Sequence, residues 1–243
     1  MDWHSRYLQQ ANWTRELGAY LFKRASLESA HRLLEVGCGT GAILGSLSCQ
    51  ATLHGLDLEP AALAQCRIHA PAAICTRGDA LSLPYPSESF DIAYCHFLLL
   101  WLDDPLQALR EMKRVTRRGG HVLALAEPDY TARVDQPLAL AVLGQWQTEA
   151  LKRQGAHPGF GAQLAGTCFQ AGIQLVETGT IQSRGENRLT PAERELEWAV
   201  LEADLAGSVP AADIQKMKQL DEQAWARGDR VLNVPTYFAW GRV

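Results

Sequence analysis

Leu33-Leu34-Glu35-Val36-Gly37-Cys38-Gly39-Thr40-Gly41 is the stretch on which the fold of this chain turns. Its apolar start reads as a buried strand over Arg32–Val36, and the alternating glycines then force a bend. Glycine lacks Cβ, so a ligand can approach the backbone where a side chain would block it. The stretch predicts strand, glycine turn and then a helix through Leu47. With Ala42 it also satisfies the permissive dinucleotide pattern G-x-G-x-x-G/A, so the bend alone does not choose a ligand.

The same alternation continues outward. Strands are predicted over Thr52–Leu56, Ala73–Thr76, Phe90–Cys95 and His121–Ala126, with helices over Pro60–His69 and Pro105–Val115. Strands separated by helices need right-handed crossovers, which gives a mainly parallel sheet covered on both faces. Upstream, Trp3 to Phe22 carries apolar residues at near-helical spacing behind Asp2 as N-cap, with a break expected near Asn12. Downstream, helical stretches at Leu138–Arg153 and Phe160–Gln170 precede a strand at Gln174–Ile181. A long insertion follows from Gln182. Thr190-Pro191-Ala192-Glu193 combines a capping box with proline at the first helical position, and that helix should reach Leu205. A second helix over Ala211–Ala226 should stop at Gly228, and the aromatic tail from Pro235 to Val243 suits a last strand.

Composition bounds the partners. A hydrophobic fraction of 47% over 243 residues can bury one sizeable core, so a single domain over 1–243 is expected. The net charge of −4, with 23 scattered basic residues, provides no continuous positive face for nucleic acid. Six cysteines without a CxxC pair give no zinc or disulfide spacing, so no metal site is expected and the thiols read as reduced. No secretory leader or membrane-spanning run is visible, so a cytoplasmic location without membrane contact is the expectation.

At the glycine turn the sequence resembles the class I S-adenosylmethionine-dependent methyltransferases, in the broad group that includes ubiquinone and menaquinone C-methyltransferases. Their first motif places an acid, a short apolar step and G-x-G-x-G, matched here by Glu35, Gly37, Gly39 and Gly41, with Cys38 and Thr40 between. By that resemblance the turn holds the amino-acid end and ribose of S-adenosylmethionine, and Glu35 helps hold the methionine amine. A carboxylate repels a pyrophosphate and attracts an ammonium, so Glu35 argues against a dinucleotide. Asp57 with Leu58 ends the second strand where ribose hydroxyls would lie, a placement a nicotinamide cofactor shares. Asp79-Ala80-Leu81 resembles the family's adenine-binding turn, and Cys95-His96 its fourth motif beside the sulfonium. The resemblance covers most of 32–126.

It implies an α/β, Rossmann-like, seven-stranded mostly parallel sheet with helices on both faces and an antiparallel last strand. An N-terminal helical cap (1–24), a cofactor-binding core (31–126) and a helical lid insertion between the last two strands (182–233) complete the expected organisation. Ligands in such a sheet bind beyond the carboxyl ends of the strands, so cap and lid face the acceptor. Tyr7 is expected over the cofactor. Glu127, Tyr130 and Trp198 are the candidate substrate-pocket residues, with a structural role in pinning the loop equally open for Glu127 and Tyr130, and His96 is the candidate catalytic base, although it reads equally as a structural histidine. The sulfonium methyl is already electrophilic, so the expected chemistry is in-line displacement onto a small-molecule acceptor, giving S-adenosylhomocysteine. An NAD(P)-dependent oxidoreductase, a protein methyltransferase and a binding module without transfer activity remain open from the sequence, as do the acceptor's identity, the atom methylated, and monomer against homodimer.

Overall fold

A computed structural model describes residues 2–181 and 189–243. Its strands are β1 (Arg32–Val36), β2 (Thr52–Asp57), β3 (Ile74–Arg77), β4 (Phe90–Cys95), β5 (Thr116–Pro128), β6 (Val134–Gln136), β7 (Gln174–Ile181), β8 (Val231–Asn233) and β9 (Thr236–Arg242). Its helices are α1 (Trp3–Arg24), α2 (Pro60–His69), α3 (Pro105–Val115), α4 (Val142–Arg153), α5 (Leu164–Gln170), α6 (Pro191–Leu205) and α7 (Ala211–Arg227). Seven strands form one sheet in the order β3-β2-β1-β4-β5-β9-β7. The pairs from β3 to β5 are parallel, and β9 runs antiparallel to both neighbours, as expected.

Central β4 is buried along its whole length, as a strand covered on both faces is, with Asp91 its one charged residue. Edge strand β7 alternates exposed and half-buried residues, as a strand covered on one face does. On one face of the sheet, α3 and α5 pack Leu109, Met112 and Leu164 against Leu34, Ala93 and Val122. On the other, α1 and α2 pack Leu21, Phe22 and Leu63 against Leu33, Ile92 and Trp240. The face assignment follows from strand alternation, because neighbouring residues on one strand point to opposite sides. Asp91 locks the entry to β1: one oxygen accepts from the backbone N–H of His31 and Arg32, both at 2.8 Å, and the other from Arg117.

Several boundaries depart from the sequence reading. Helix α1 is unbroken at Asn12 and continues to Arg24, because the buried stripe of its first half is polar: Arg6, Gln9 and Thr14 find partners elsewhere in the fold. The helix expected through Leu47 shrinks to a 3-10 turn at Leu44–Ser46. A Cβ on Gly45 would lie 2.3 Å from the His69 carbonyl oxygen, so the end of α2 occupies the room a longer helix would need. Strand β5 begins at Thr116 rather than His121, with an irregular register between Phe90 and Ile92 of its neighbour absorbing the Gly119-Gly120 bend. Strand β3 starts one residue later than read. The short antiparallel ribbon β6-β8 was not foreseen.

Between β7 and β9 the insertion contributes α6, α7 and β8; residues 182–188, where it was read to begin, lie outside the described residues. The capping box is formed: Thr190 Oγ1 accepts from Glu193 N, and Glu193 accepts from Thr190 N at 2.7 Å. Helix α7 stops at Gly228 with φ +78°. Trp198, Leu201 and Leu205 of α6 meet Ile214, Met217 and Ala224 of α7 and Leu140, Leu143 and Ala150 beside them.

Two arginines and two aspartates tie this unit to the loop after β5. Asp135 accepts from Arg133 Nε at 2.7 Å and from Arg230 at 2.6 Å, and Arg230 also donates to Asp221. Trp198 Nε1 donates to the other oxygen of Asp221 at 2.8 Å, and Arg133 donates to Gln147. All four charged side chains are almost fully buried. The charges cancel, and removing one member leaves another without its counter-charge in low dielectric, a loss worth about 3–5 kcal/mol. Arg230→Met should therefore lower the unfolding free energy by about 3–5 kcal/mol in denaturant titration, while Lys152→Met, at an exposed pair with Glu149, should change it by under about 1 kcal/mol. Equal effects would show that the buried network does not hold the insertion.

Candidate cofactor and acceptor site

Leaving β1, the chain bends across the end of β2. Gly37 N and Cys38 N both donate to the Leu56 carbonyl, at 2.8 and 2.9 Å, and Gly41 N returns to Cys38 O at 2.8 Å. Gly37 and Gly39 have φ of +72° and +51°, a region that residues with a Cβ seldom adopt. A Cβ at Gly39 would lie 3.0 Å from the ring of Tyr7, so the half-buried tyrosine of α1 rests on the turn. At Gly37 it would meet Leu98 at 2.7 Å. Thr40 is buried and its Oγ1 lies 2.8 Å from His4 Nδ1, while His4 stacks on His69 of α2 with ring centroids 3.4 Å apart. The turn is therefore covered by α1 from above.

Asp57 closes the turn from β2: one oxygen accepts from Gly39 N at 2.8 Å and the other from Glu59 N at 2.9 Å. Leu58 beside it is exposed. Asp79 is exposed at the end of β3, accepting from Leu81 N at 2.8 Å, with Ala80 buried and Leu81 half-buried behind it. Thus the carboxyl ends of β1, β2 and β3 bring Gly37 to Gly41, Asp57 and Asp79 to one rim, the place the sequence predicts for the methionine, ribose and adenine parts of one ligand. The cradle fits that ligand through its missing Cβ atoms and its row of acids.

Glu35 is 3% exposed and accepts from Tyr94 Oη at 2.8 Å, across the β1-β4 register that aligns the two residues. Burial pushes its carboxyl up to about 8 despite that bond. The sequence reading placed Glu35 at the rim and missed Tyr94, because parallel register is set by tertiary packing and not by local pattern.

At the end of β4, Cys95 is fully buried and burial raises its thiol far above the ordinary range. His96 is half-buried, with Nε2 2.9 Å from Thr14 Oγ1 of α1. Burial pushes the imidazole down to about 3, so it stays neutral and holds a proton poorly. That environment suits a hydrogen-bonding post better than the catalytic base read from the sequence. Phe97 follows at φ +53°, and Glu127 fastens this loop: its oxygens accept from Leu98 N and Leu99 N at 3.0 Å and Leu100 N at 3.2 Å. Glu127 is 0% exposed, so the substrate-pocket role read for it gives way to pinning the loop. Burial raises its carboxyl to about 7, against the pull of those three N–H groups.

Tyr130 is half-buried beside Arg6, Glu197 and Arg133, and burial raises its phenol to about 12. Arg6 of α1 forms an ion pair with Glu197 of α6, and Gln9 Nε2 donates to the Glu193 carbonyl at 3.2 Å. Behind this pair, a small cleft of about 30 Å³ is lined by Arg133, Gln147, Arg194, Glu197, Trp198 and Trp225 among others. Trp198 is 5% exposed, so it is mainly a core residue of the insertion with one edge on the cleft. No group of three or more His, Cys, Asp or Glu side chains among the described residues is arranged to hold a metal.

Comparison with known proteins agrees with this geometry. Residues 34–124 match the family described as "Methyltransferase domain". Malonyl-[acyl-carrier protein] O-methyltransferase of Halorhodospira halophila is 37% identical over 126 residues, 49% of this chain and 43% of that protein. Trans-aconitate 2-methyltransferase of Delftia acidovorans is 33% identical over 135 residues, 53% of this chain and 50% of that one. The alignments therefore span about half the length of these curated relatives. In fold, a putative methyltransferase from Bacillus halodurans superposes with a TM-score of 0.65 over 92% of this chain and 97% of that one, at 15% identity.

The raised Glu35 carboxyl has a thermodynamic consequence. Its folded pKa of about 8 exceeds its unfolded value of 4.5, so its contribution to stability is full at low pH and is lost as pH rises through that window. Glu35→Gln removes this titration. The ligand-free wild type should lose stability relative to Glu35→Gln as the pH is raised from 5 to 8, read from denaturant midpoints at each pH. A constant difference across the series would mean that Glu35 titrates normally.

Proposed function

We propose that this chain is a class I S-adenosylmethionine-dependent methyltransferase that transfers a methyl group from S-adenosylmethionine to a small-molecule acceptor. The observation that carries the proposal is the acid-flanked glycine turn, with Asp57 and Asp79 in succession on the same rim. In our reading Gly37 to Gly41 hold the amino-acid end, Glu35 compensates the ammonium, Asp57 and Leu58 take the ribose, and Asp79, Ala80 and Leu81 take the adenine. The sulfonium supplies an electrophilic methyl group, so the protein's task is orientation and exclusion of water.

Tyr7 covers the turn, and Cys95 and His96 bring the end of β4 beside it. His96, neutral and bonded to Thr14, fills the role of a positioning group. A base with a pKa near 3 would draw little proton from a hydroxyl at neutral pH, so we favour an acceptor that arrives already nucleophilic. Carboxylates meet that requirement, and the two relatives described above are named for malonyl and aconitate acceptors. Tyr130 and the edge of Trp198, with Arg133 and Arg194 nearby, form the acceptor side. Helix α1 acts as cap and the α6-α7 insertion as lid, joined at Arg6 and Glu197. No step requires a metal, so activity should persist in chelator.

Isothermal titration calorimetry tests the assignment directly. S-adenosylmethionine and S-adenosylhomocysteine should both bind, and Glu35→Gln should weaken each by about tenfold, in line with loss of one charge-assisted contact to the ammonium they share. Because free Glu35 is largely protonated at pH 7, pairing with the ammonium should expel a proton, giving a binding heat that varies with the buffer's ionisation enthalpy. Absence of heat with both ligands would overturn the function. Binding without proton release would remove Glu35 from the ammonium site only.

A further inference from the structure

Three thiols line up beneath the glycine turn. Cys38 belongs to the turn, Cys66 to α2 and Cys75 to edge strand β3. Cys38 Sγ lies 3.9 Å from Cys66 Sγ, and Cys75 Sγ lies 3.2 Å from it, each placed to donate to the Cys66 sulfur. All six cysteines of the chain are free. The central sulfur also supports the turn: a Cβ at Gly41 would lie 2.9 Å from Cys66 Sγ.

We infer that Cys66 and Cys75 are an oxidisable pair whose disulfide weakens the hold of the glycine turn on its ligand. The second half rests on the cofactor assignment above. Geometry selects this pair over Cys38 and Cys66. Closing 3.2 Å to a bond of about 2 Å needs a side-chain adjustment, and β3 has β2 as its one partner in the sheet and so can give way. Access agrees, since Cys66 is fully buried while Cys75 is half-buried, leaving the outer sulfur within reach of a small oxidant. The hydrogen bond from Cys38, then that from Cys75, holds the Cys66 thiol below its ordinary range. Burial, and then the bond it donates to Cys66, push the Cys75 thiol up to about 12, so the thiolate resides chiefly on Cys66 and reaches the exposed sulfur when the Cys75 proton crosses the 3.2 Å gap.

With hydrogen peroxide the step balances as follows. The Cys75 thiolate attacks one peroxide oxygen, the O–O bond breaks and hydroxide leaves, giving a sulfenic acid. Cys66 sulfur then attacks Cys75 sulfur, the S–S bond forms and the S–O bond breaks, releasing a second hydroxide. The two thiol protons convert both hydroxides to water, so two electrons pass from the sulfurs to one peroxide. A thiol reductant reverses the change. Closure draws Cys66 Sγ toward β3 and away from Cys38 and Gly41, removing the packing that shapes the turn.

The test uses the whole purified chain. After brief treatment with hydrogen peroxide, peptide mass spectrometry should map a disulfide joining Cys66 to Cys75. Calorimetry should then give an affinity for S-adenosylhomocysteine about fivefold weaker or more than for the reduced protein, the lower range of a two-site coupling, and dithiothreitol should restore it. Coupling is reciprocal, so saturating S-adenosylhomocysteine should lower the equilibrium constant for disulfide formation in a glutathione redox buffer by the same factor. Cys75→Ser should bind as the reduced wild type does and ignore peroxide, and Cys75→Ala, the second variant, should do the same. A bond that maps to Cys38, no bond at all, or equal affinity in both redox states would each overturn the inference. A reduced protein that binds neither ligand fails the cofactor assignment before oxidant is added, and the disulfide map then decides the pairing on its own.

Discussion

Everything at the ligand end of the sheet depends on the bend by which the chain leaves β1. Two successive backbone N–H groups, of Gly37 and Cys38, converge on the Leu56 carbonyl, extending the β1-β2 pairing past the last strand residue. That double donation is possible because Gly37 adopts a positive φ. Asp57, one residue after Leu56, is thereby brought to Gly39 N and finishes the loop with a charge-assisted bond. Neither contact survives a shift in register of β1 on β2, so the site is a direct outcome of strand pairing.

Glu35, Glu127 and Arg230 follow one rule, that each is satisfied by the neighbouring element it fastens. Glu35 meets the Tyr94 hydroxyl and so links β1 to β4. Glu127 gathers three N–H groups of the loop after β4, which would otherwise stand unpaired at a strained turn beginning with Phe97. Arg230 joins Asp135 to Asp221 and so ties the insertion to the loop after β5. Desolvation raises both glutamates, and the more strongly raised one lies directly under the turn, where a cationic ligand would reverse the shift.

How much of this was legible varies with the range of the interactions involved. Helices α2, α3 and α6 and strands β1, β4 and β7 follow from periodicity, prolines and caps, all local, and their limits match the sequence reading. The glycine turn and the two aspartates were legible because backbone conformation demands glycine and because the order of motifs along the chain resembles a family. Tyr94, Thr14 and the Arg6–Glu197 pair were not. Each joins residues distant in sequence, with separations of 59, 82 and 191 residues, and each places a polar side chain where periodicity expects an apolar one. For Glu127 the sequence left acceptor contact and loop pinning open, because the N–H groups it gathers lie 27 to 29 residues away in the chain.

The polar stripe of α1 carries the last step of the synthesis. Its first residues touch the ligand turn, through His4 to Thr40 and Tyr7 to Gly39, and on the same helix Arg6 and Gln9 hold α6 of the insertion. Thr14, two turns further along, holds His96 at the end of β4. A single helix therefore touches the glycine turn, the α6-α7 insertion and the end of β4. Displacing it to admit a ligand at one place breaks contacts at the others. A helix whose buried face were leucine would pack more tightly on the sheet, but it could not release and reform these contacts as cheaply, because polar groups exposed on opening regain water. The interruption of apolar periodicity in α1 thus reflects the polar contacts its buried face makes with three other elements, and not a weakness in the helix.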